Sequence, residues 1–231
     1  NETALSTALT PNYDVGLQAY GNWGRGWGEY TVGVFNGCPD GASADSDTQD
    51  EKDFTARLLF NPFKHAEPGA LKGLSVGLAG TLGDREGSAT SPQLPVYRTA
   101  GQQSYFSYKT STNPAATAFA DGTHLRLSPQ LYYAVGSFGL LAEYILSEQE
   151  VVRGETSESL DHAGWQVTAT TVLTGESPSL KGIKPLRPFN PAAGDWGAIE
   201  LVARFSSISL DDRAFDAGLA DPQKSASAAD A

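Results

Sequence analysis

Five cationic side chains of this 231-residue chain stand where they could hold an anion. Arg57, Arg126 and Arg204 each occupy an alternate position of an apolar/polar stretch, and Arg98 and Lys109 lie in a long aromatic segment between two such stretches. A planar guanidinium fork matches the oxygens of a phosphate, and inside a confined passage it can bind an anion and let it go again. Glu143 and Glu200 offer a rival chemistry, the paired carboxylates of a glycosidase, but their strand-like context makes them ordinary acids of a wet face. His65, His124 and His162 stand in separate segments, so no metal-ligand spacing arises. The sequence holds no GxSxG, HExxH, CxxC or glycine-rich phosphate cradle. No cofactor is expected, and passage or binding is a better reading than catalysis.

What must position these charges is a set of strands. Residues 122–152 set Leu125, Leu127, Leu131 and Tyr133 against His124, Arg126, Ser128, Gln130 and Tyr132, a period of two that no helix can sort. After the break at 136–139 (GSFG), Leu140, Ala142, Tyr144 and Leu146 oppose Glu143 and Ser147, which completes a β-hairpin. Each arm carries an apolar band of about ten residues, the height a tilted strand needs to cross a bilayer. In a soluble sandwich that band would face a core. In a membrane barrel it faces lipid, with Arg126 and Glu143 in a watery lumen.

The same alternation recurs along the chain. It marks strands at 13–20 and 27–35, at 53–60 with Thr55 and Arg57 opposite Phe54, Ala56, Leu58 and Phe60, at 74–82, at 164–173, and at 197–210 with Glu200 and Arg204 opposite Ile199, Leu201, Ala203 and Phe205. About eight strands result, joined by alternating short and long connections, the pattern of an up-and-down antiparallel barrel. Residues 36–51 are polar and acidic and read as a solvated loop, and 154–159 as a polar one. Residues 83–121 show no sustained alternation but are too aromatic for a disordered linker, so they must pack against something. Residues 1–11 read as the end of a loop, and the Ser/Ala/Asp-rich end as a tail that does not close on a strand. With no methionine and no leader-like start at NETALSTALTP, the chain is expected to be an internal or mature segment.

Composition narrows the class further. A net charge of −11 argues against nucleic acid as a partner. The single cysteine, Cys38, rules out an intrachain disulfide. A hydrophobic content of 40 % with mean hydropathy of −0.29 fits a soluble protein and an alternating barrel equally well.

The segments LTPNYDVGLQAYGN, YRTAGQQSYFSY, LRLSPQLYYAVGSFGLLAEYILSEQEV and TGESPSLKGIKPLRPF followed by GAIELVARFS, in that order, resemble the phosphate-selective porin O and P family of Gram-negative outer membranes. The resemblance implies an all-β, antiparallel, up-and-down transmembrane β-barrel, of which this chain would be a fragment of about eight strands out of sixteen. It implies a single partial porin domain over 1–231, with 83–121 as the fifth outer loop folded into the lumen and the breaks at Trp23 and Ser137 as periplasmic turns. It also implies an outer-membrane homotrimer set among lipid and lipopolysaccharide, and a diffusion channel for small anions such as phosphate or polyphosphate. Arg98, Lys109, Arg57, Arg126 and Arg204 are the expected lining residues. The acidic balance, 16 basic against 27 acidic residues, departs from the basic conduits of the family's phosphate-specific members. Two other readings remain: a soluble or surface-attached β-sandwich binding module, and a structural barrel with a blocked lumen.

Overall fold

A chain that alternates apolar and polar side chains over stretches of 8 to 17 residues satisfies its backbone by pairing with neighbouring strands, and here every strand of the main sheet except its two edges is paired on both sides. The computed structural model describes residues 6–45, 50–66, 69–99, 101, 103–180, 182–226 and 228–230. Nine strands form one antiparallel sheet: β1 (Gly16–Trp23), β2 (Gly28–Phe35), β3 (Asp53–Phe60), β4 (Leu74–Glu86), β7 (Phe119–Val135), β8 (Phe138–Arg153), β9 (Thr156–Val172), β10 (Glu200–Ser209) and β11 (Ala228–Asp230), in that spatial order. Between β4 and β7 the chain makes a separate two-stranded hairpin, β5 (Val96–Arg98) with β6 (Ser104–Ser107).

Every neighbour in the large sheet is also a neighbour in that strand sequence, so the topology is up-and-down. The sheet does not close. Among the described residues β1 and β11 are its two edges and do not pair with each other, so the expected barrel is present as an open antiparallel wall.

Register decides which residues share a face. The row Leu17, Val34, Phe54, Leu82, Leu125 runs across β1, β2, β3, β4 and β7 on one side. The row Thr55, Thr81, Arg126, Ser147, His162 runs across β3, β4, β7, β8 and β9 on the other. The apolar side is bare: Leu17 is 82 % exposed, Phe54 63 % and Phe205 68 %. The polar side is covered over β7, β8 and β9, with Arg126 at 2 % and His124 at 0 %, and open on β1, where Gln18 and Tyr20 are exposed. A soluble sandwich requires the reverse, and an apolar face spread over this many strands exceeds what a monomeric soluble protein leaves in water. No helix among the described residues is long and apolar enough to cross a membrane, which says nothing against crossing by strands.

The covering of the inner side comes from the connections. Residues 83–121 are more ordered than their sequence suggests: Gly83–Glu86 complete β4, Phe119 opens β7, and β5–β6 lies between. Tyr97, Phe106 and Tyr108 from this segment pack with Ile145 and Val151 of β8 and Leu160 of β9. Phe106 meets Tyr108 edge-on at 5.1 Å and Phe215 at 5.8 Å, the geometry aromatic quadrupoles favour. Both ends of the chain join this cluster. Residues 6–9, expected as loop, form a one-turn helix α1 (Ser6–Leu9) that buries Leu9, while 1–5 lie outside the described residues. The expected tail instead makes a short helix α2 (Arg213–Asp216), buries Leu219 and Ala220, and pairs Ala228–Asp230 with Ser207–Ser209.

Two connections are tighter than expected. Residues 154–159 are no loop: Gly154 turns the chain at φ 61° and Thr156 already pairs with Arg153. In the break at 136–139 only Gly136 and Ser137 lie outside the strands, with φ 56° at Gly136, a left-handed conformation that suits glycine.

Candidate functional site

The inner wall carries two distinct polar arrays. The first spans β3, β7, β8 and β9. Arg57 donates from Nε and Nη2 to Gln130 Oε1 at 3.3 and 3.2 Å. Gln130 passes the polarity on, donating from Nε2 to Glu143 Oε1 at 2.9 Å. The Glu143 carboxylate also accepts from Ser128 Oγ at 2.9 Å and from Gln166 Nε2 at 2.7 Å. Alternation aims these side chains to one side, and the register brings Gln130, Glu143 and Gln166 into one row. The result is a belt of two amides, one hydroxyl and one carboxylate with a guanidinium at its end, buried at Ser128 and Gln166 and half-buried elsewhere. Arg204 stands further along, donating from Nε to Thr168 Oγ1 at 3.1 Å.

The second array is buried and built on two carboxylates and two guanidinium groups. Arg85 grips Asp53 with both Nη atoms at 2.8 Å. Arg126 donates from Nε to Asp40 Oδ1 at 2.5 Å, from Nη1 to Asp53 Oδ2 and Thr81 Oγ1 at 3.2 Å, and from Nη2 to the Cys38 carbonyl at 2.9 Å. Ser147 Oγ donates to Asp40 Oδ2 at 2.6 Å, and His124 Nε2 lies 2.9 Å from that hydroxyl. Burial alone would raise the pKa of Asp40. The adjacent Arg126 outweighs it and, with His124 and Ser147, holds the carboxyl well below the usual range. Asp40 and Cys38 belong to the segment expected as a solvated acidic loop, which is the correction the structure makes there. Residues 36–45 turn inward because two buried guanidinium groups require partners; 46–49 lie outside the described residues.

The five expected lining residues do not gather at one point. Arg57 and Arg126 line a common cavity of about 150 Å³ with Thr10, Thr31, Thr55, Thr81 and Ser128, and with the apolar Ala56, Ala79, Leu127 and Ile145, so that most of its accessible wall is apolar; Arg57 is half-buried there and Arg126 is committed to Asp40 and Asp53. Arg204, Arg98 and Lys109 do not line it. Arg98 is exposed on β5, beside the buried Tyr97. Lys109 is half-buried, its backbone tied to Leu219 and Ala118 at 2.8 and 2.9 Å.

Several residues of these arrays carry a sequence signal that strand parity would have exposed. Asp53 shares the face of Thr55 and Arg57, Arg85 continues the Ser75–Thr81 face, and Gln166 opposes Glu143. Asp40 has no such signal. Tyr108 and His162 form a further polar pair within the aromatic cluster, at 2.7 Å. Among the described residues no group of acids, histidines and cysteine is arranged to hold a metal ion.

One comparison with known proteins bears on this geometry. The sequence model for phosphate-selective porin O and P matches residues 3–225, nearly the whole chain, and the chain belongs to that family. No curated protein matches.

Proposed function

We propose that this member of the phosphate-selective porin O and P family is part of a water-filled diffusion channel in the outer membrane of a Gram-negative bacterium, passing small solutes with a preference for anions. The observation that carries the reading is the sorting of the wall: leucine, valine and phenylalanine bare on one side, and guanidinium, amide, hydroxyl and carboxylate groups on the other. Lipid satisfies the first face and water the second. Strands beyond those described close the wall into a barrel, since an open edge in lipid leaves backbone groups unpaired. Homotrimer formation and contact with lipopolysaccharide belong to the same proposal, as does placement of 83–121 in the lumen, which fits its packing on the inner face of β8 and β9.

Anion preference rests on Arg57 and Arg204 on the wall and on Arg98 and Lys109 on the covering segment, while Arg126 is assigned to structure. Such a channel conducts without bond chemistry; it needs binding weak enough for release. A specific feature favours the blocked-lumen alternative: segment 36–45 and, from the β4–β7 connection, Tyr97, Phe106, Tyr108 and Ala118 lie over the inner face. Planar-bilayer recording of the full-length protein separates the two. Stepwise conductance supports the channel; its absence from folded protein defeats it. Purification as a soluble monomer without detergent would defeat both.

A further inference from the structure

The segment 36–45 is held more firmly than a surface loop needs to be. Its Asp40 side chain has no solvent exposure and is engaged by Arg126, Ser147 and, at 3.7 Å, His124. Its Cys38 carbonyl accepts from Arg126 and from Arg85 Nη2, the latter at 3.2 Å. It also carries a second segment with it. Gly41 N donates to Thr10 O at 3.0 Å, Asn12 N to Ala42 O at 2.8 Å, Ala44 N to Tyr13 O at 2.9 Å, and Gly37 N to Asp14 Oδ2 at 2.9 Å. Thr10, placed by these bonds, lines the cavity that Arg57, Thr31, Thr55, Thr81 and Ser128 share.

A polar, aspartate-rich loop costs nothing when left in water. Burying an ion pair contributes little net stability compared with an apolar contact, because desolvation offsets the attraction. What such a pair does supply is a fixed position. Its partners are 86 residues apart in sequence, so the contact also sets the height on the wall at which the segment sits.

We propose that Asp40 is the positioning residue that seats residues 36–45, and through them residues 10–14, on the inner wall, so that these two segments fix the width of the passage beside Arg57. The inference rests on the channel reading above. It assigns the narrowing to a connection whose sequence marks it as an outward loop.

The single cysteine reports the seating directly. Cys38 is 1 % exposed, and burial, with Asp14 nearby, pushes its thiol up to about 11, so it should resist an impermeant maleimide. In full-length Asp40→Asn, loss of the charge should raise the unseated fraction by roughly a hundredfold or more. Cys38 should then label rapidly, and single-channel conductance should rise. Asp40→Glu, which keeps the charge, should restore slow labelling. Should Asp40→Asn fail to fold, Ser147→Ala removes one hydrogen bond to Asp40, and with it the one between Ser147 and His124, while keeping the Asp40 charge, and should speed labelling by roughly threefold to tenfold. Folded Asp40→Asn with Cys38 still inert and conductance unchanged overturns the proposal and leaves the channel reading intact. Rapid labelling in a protein whose wild type never conducts removes the channel reading, and the claim about passage width falls with it.

Discussion

Arg57 and Arg126 share a cavity but differ in what surrounds their charge, and exchanging each for glutamine should separate their roles. Arg57 donates to a neutral amide, Gln130, and the nearest carboxylate in that chain of bonds, Glu143, is already held by Ser128, Gln130 and Gln166. Its positive field is therefore left for a passing ion, opposed by the exposed Glu29 that lines a pocket with it. At about 4 Å in water one unit charge is worth about 1 kcal/mol, roughly a fivefold change in local concentration, attractive for an anion and repulsive for a cation. Screening at 0.1 M salt, with a Debye length of about 10 Å, and averaging over a wet lumen reduce the combined effect to about fivefold in the anion-to-cation permeability ratio. In a salt gradient this moves the zero-current potential by on the order of 30 mV toward the cation side. Arg126→Gln removes a charge that Asp40 and Asp53 have already neutralised, so it should move the potential much less. It should instead cost about 3–5 kcal/mol of stability by stranding a buried carboxylate. Reversal potentials from planar bilayers and urea midpoints in detergent are the two readouts. An Arg57→Gln channel whose zero-current potential stays at the wild-type value, or an Arg126→Gln channel that shifts as far with unchanged stability, would refute this division of labour.

Two further outcomes follow from the faces and the buried acid. Leu78→Arg places a cation on the lipid side and should cost about 2–4 kcal/mol in lipid-reconstituted unfolding, whereas Gln18→Arg on the inner side of β1 should stay within about 0.5 kcal/mol; equal losses on both faces would contradict the assignment of outside and inside. Because the folded-state pKa of Asp40 is depressed, its contribution is fully present above the ordinary aspartate value near 4 and is lost as pH falls toward the lower folded value. The stability gap between wild type and Asp40→Asn should therefore hold constant from neutral pH down to about pH 5 and shrink only below that. Hydrogen exchange of residues 37–45 is the check, and a gap already closed at pH 6 would count against the buried ion pair.

Strand parity was legible because lipid and water impose the most regular demand a sheet can meet. Phe54, Leu58, Leu78 and Leu82 had only to look outward, and no partner's identity was needed to see it. Legibility failed where both faces of a strand are wet or where a contact is remote. The first residues of β9, Thr156–Asp161, offer a single apolar side chain, Leu160, and so no period; their strand state comes from pairing with Glu148–Arg153 and not from their own composition. The β5–β6 hairpin is too short for a period to register, although its aromatic content correctly indicated that it packs. Asp40 sits in a run whose composition is that of any solvated loop, and its burial is a property of Arg126 as much as of its own surroundings.

The same remoteness explains why net charge is a poor guide to what this wall would admit. An excess of 27 acidic over 16 basic residues suggests a cation path if the charges are spread evenly. They are not. Asp40 and Asp53 face Arg85 and Arg126 in a closed group whose formal charges cancel, so it presents almost no field to an ion a few ångströms away. Glu200 accepts from the Thr170 hydroxyl at 2.5 Å near one end of β10, and Asp161 and Asp211 pair with Arg213 at 2.8 and 2.6 Å on the exposed side of the α2 segment. What remains on the wall near the cavity is Arg57 with Glu29, which lines a pocket beside it, and with Glu143, from which it is separated by a glutamine and whose carboxylate already carries three donors. An anion approaching that site meets a guanidinium with open coordination; a cation meets Glu29 and a Glu143 whose lone pairs are largely used. Arg57 and Glu143 carry equal charge and unequal capacity to bind, so the anionic preference comes from hydrogen-bond saturation, is opposed by the field of Glu29, and should be small.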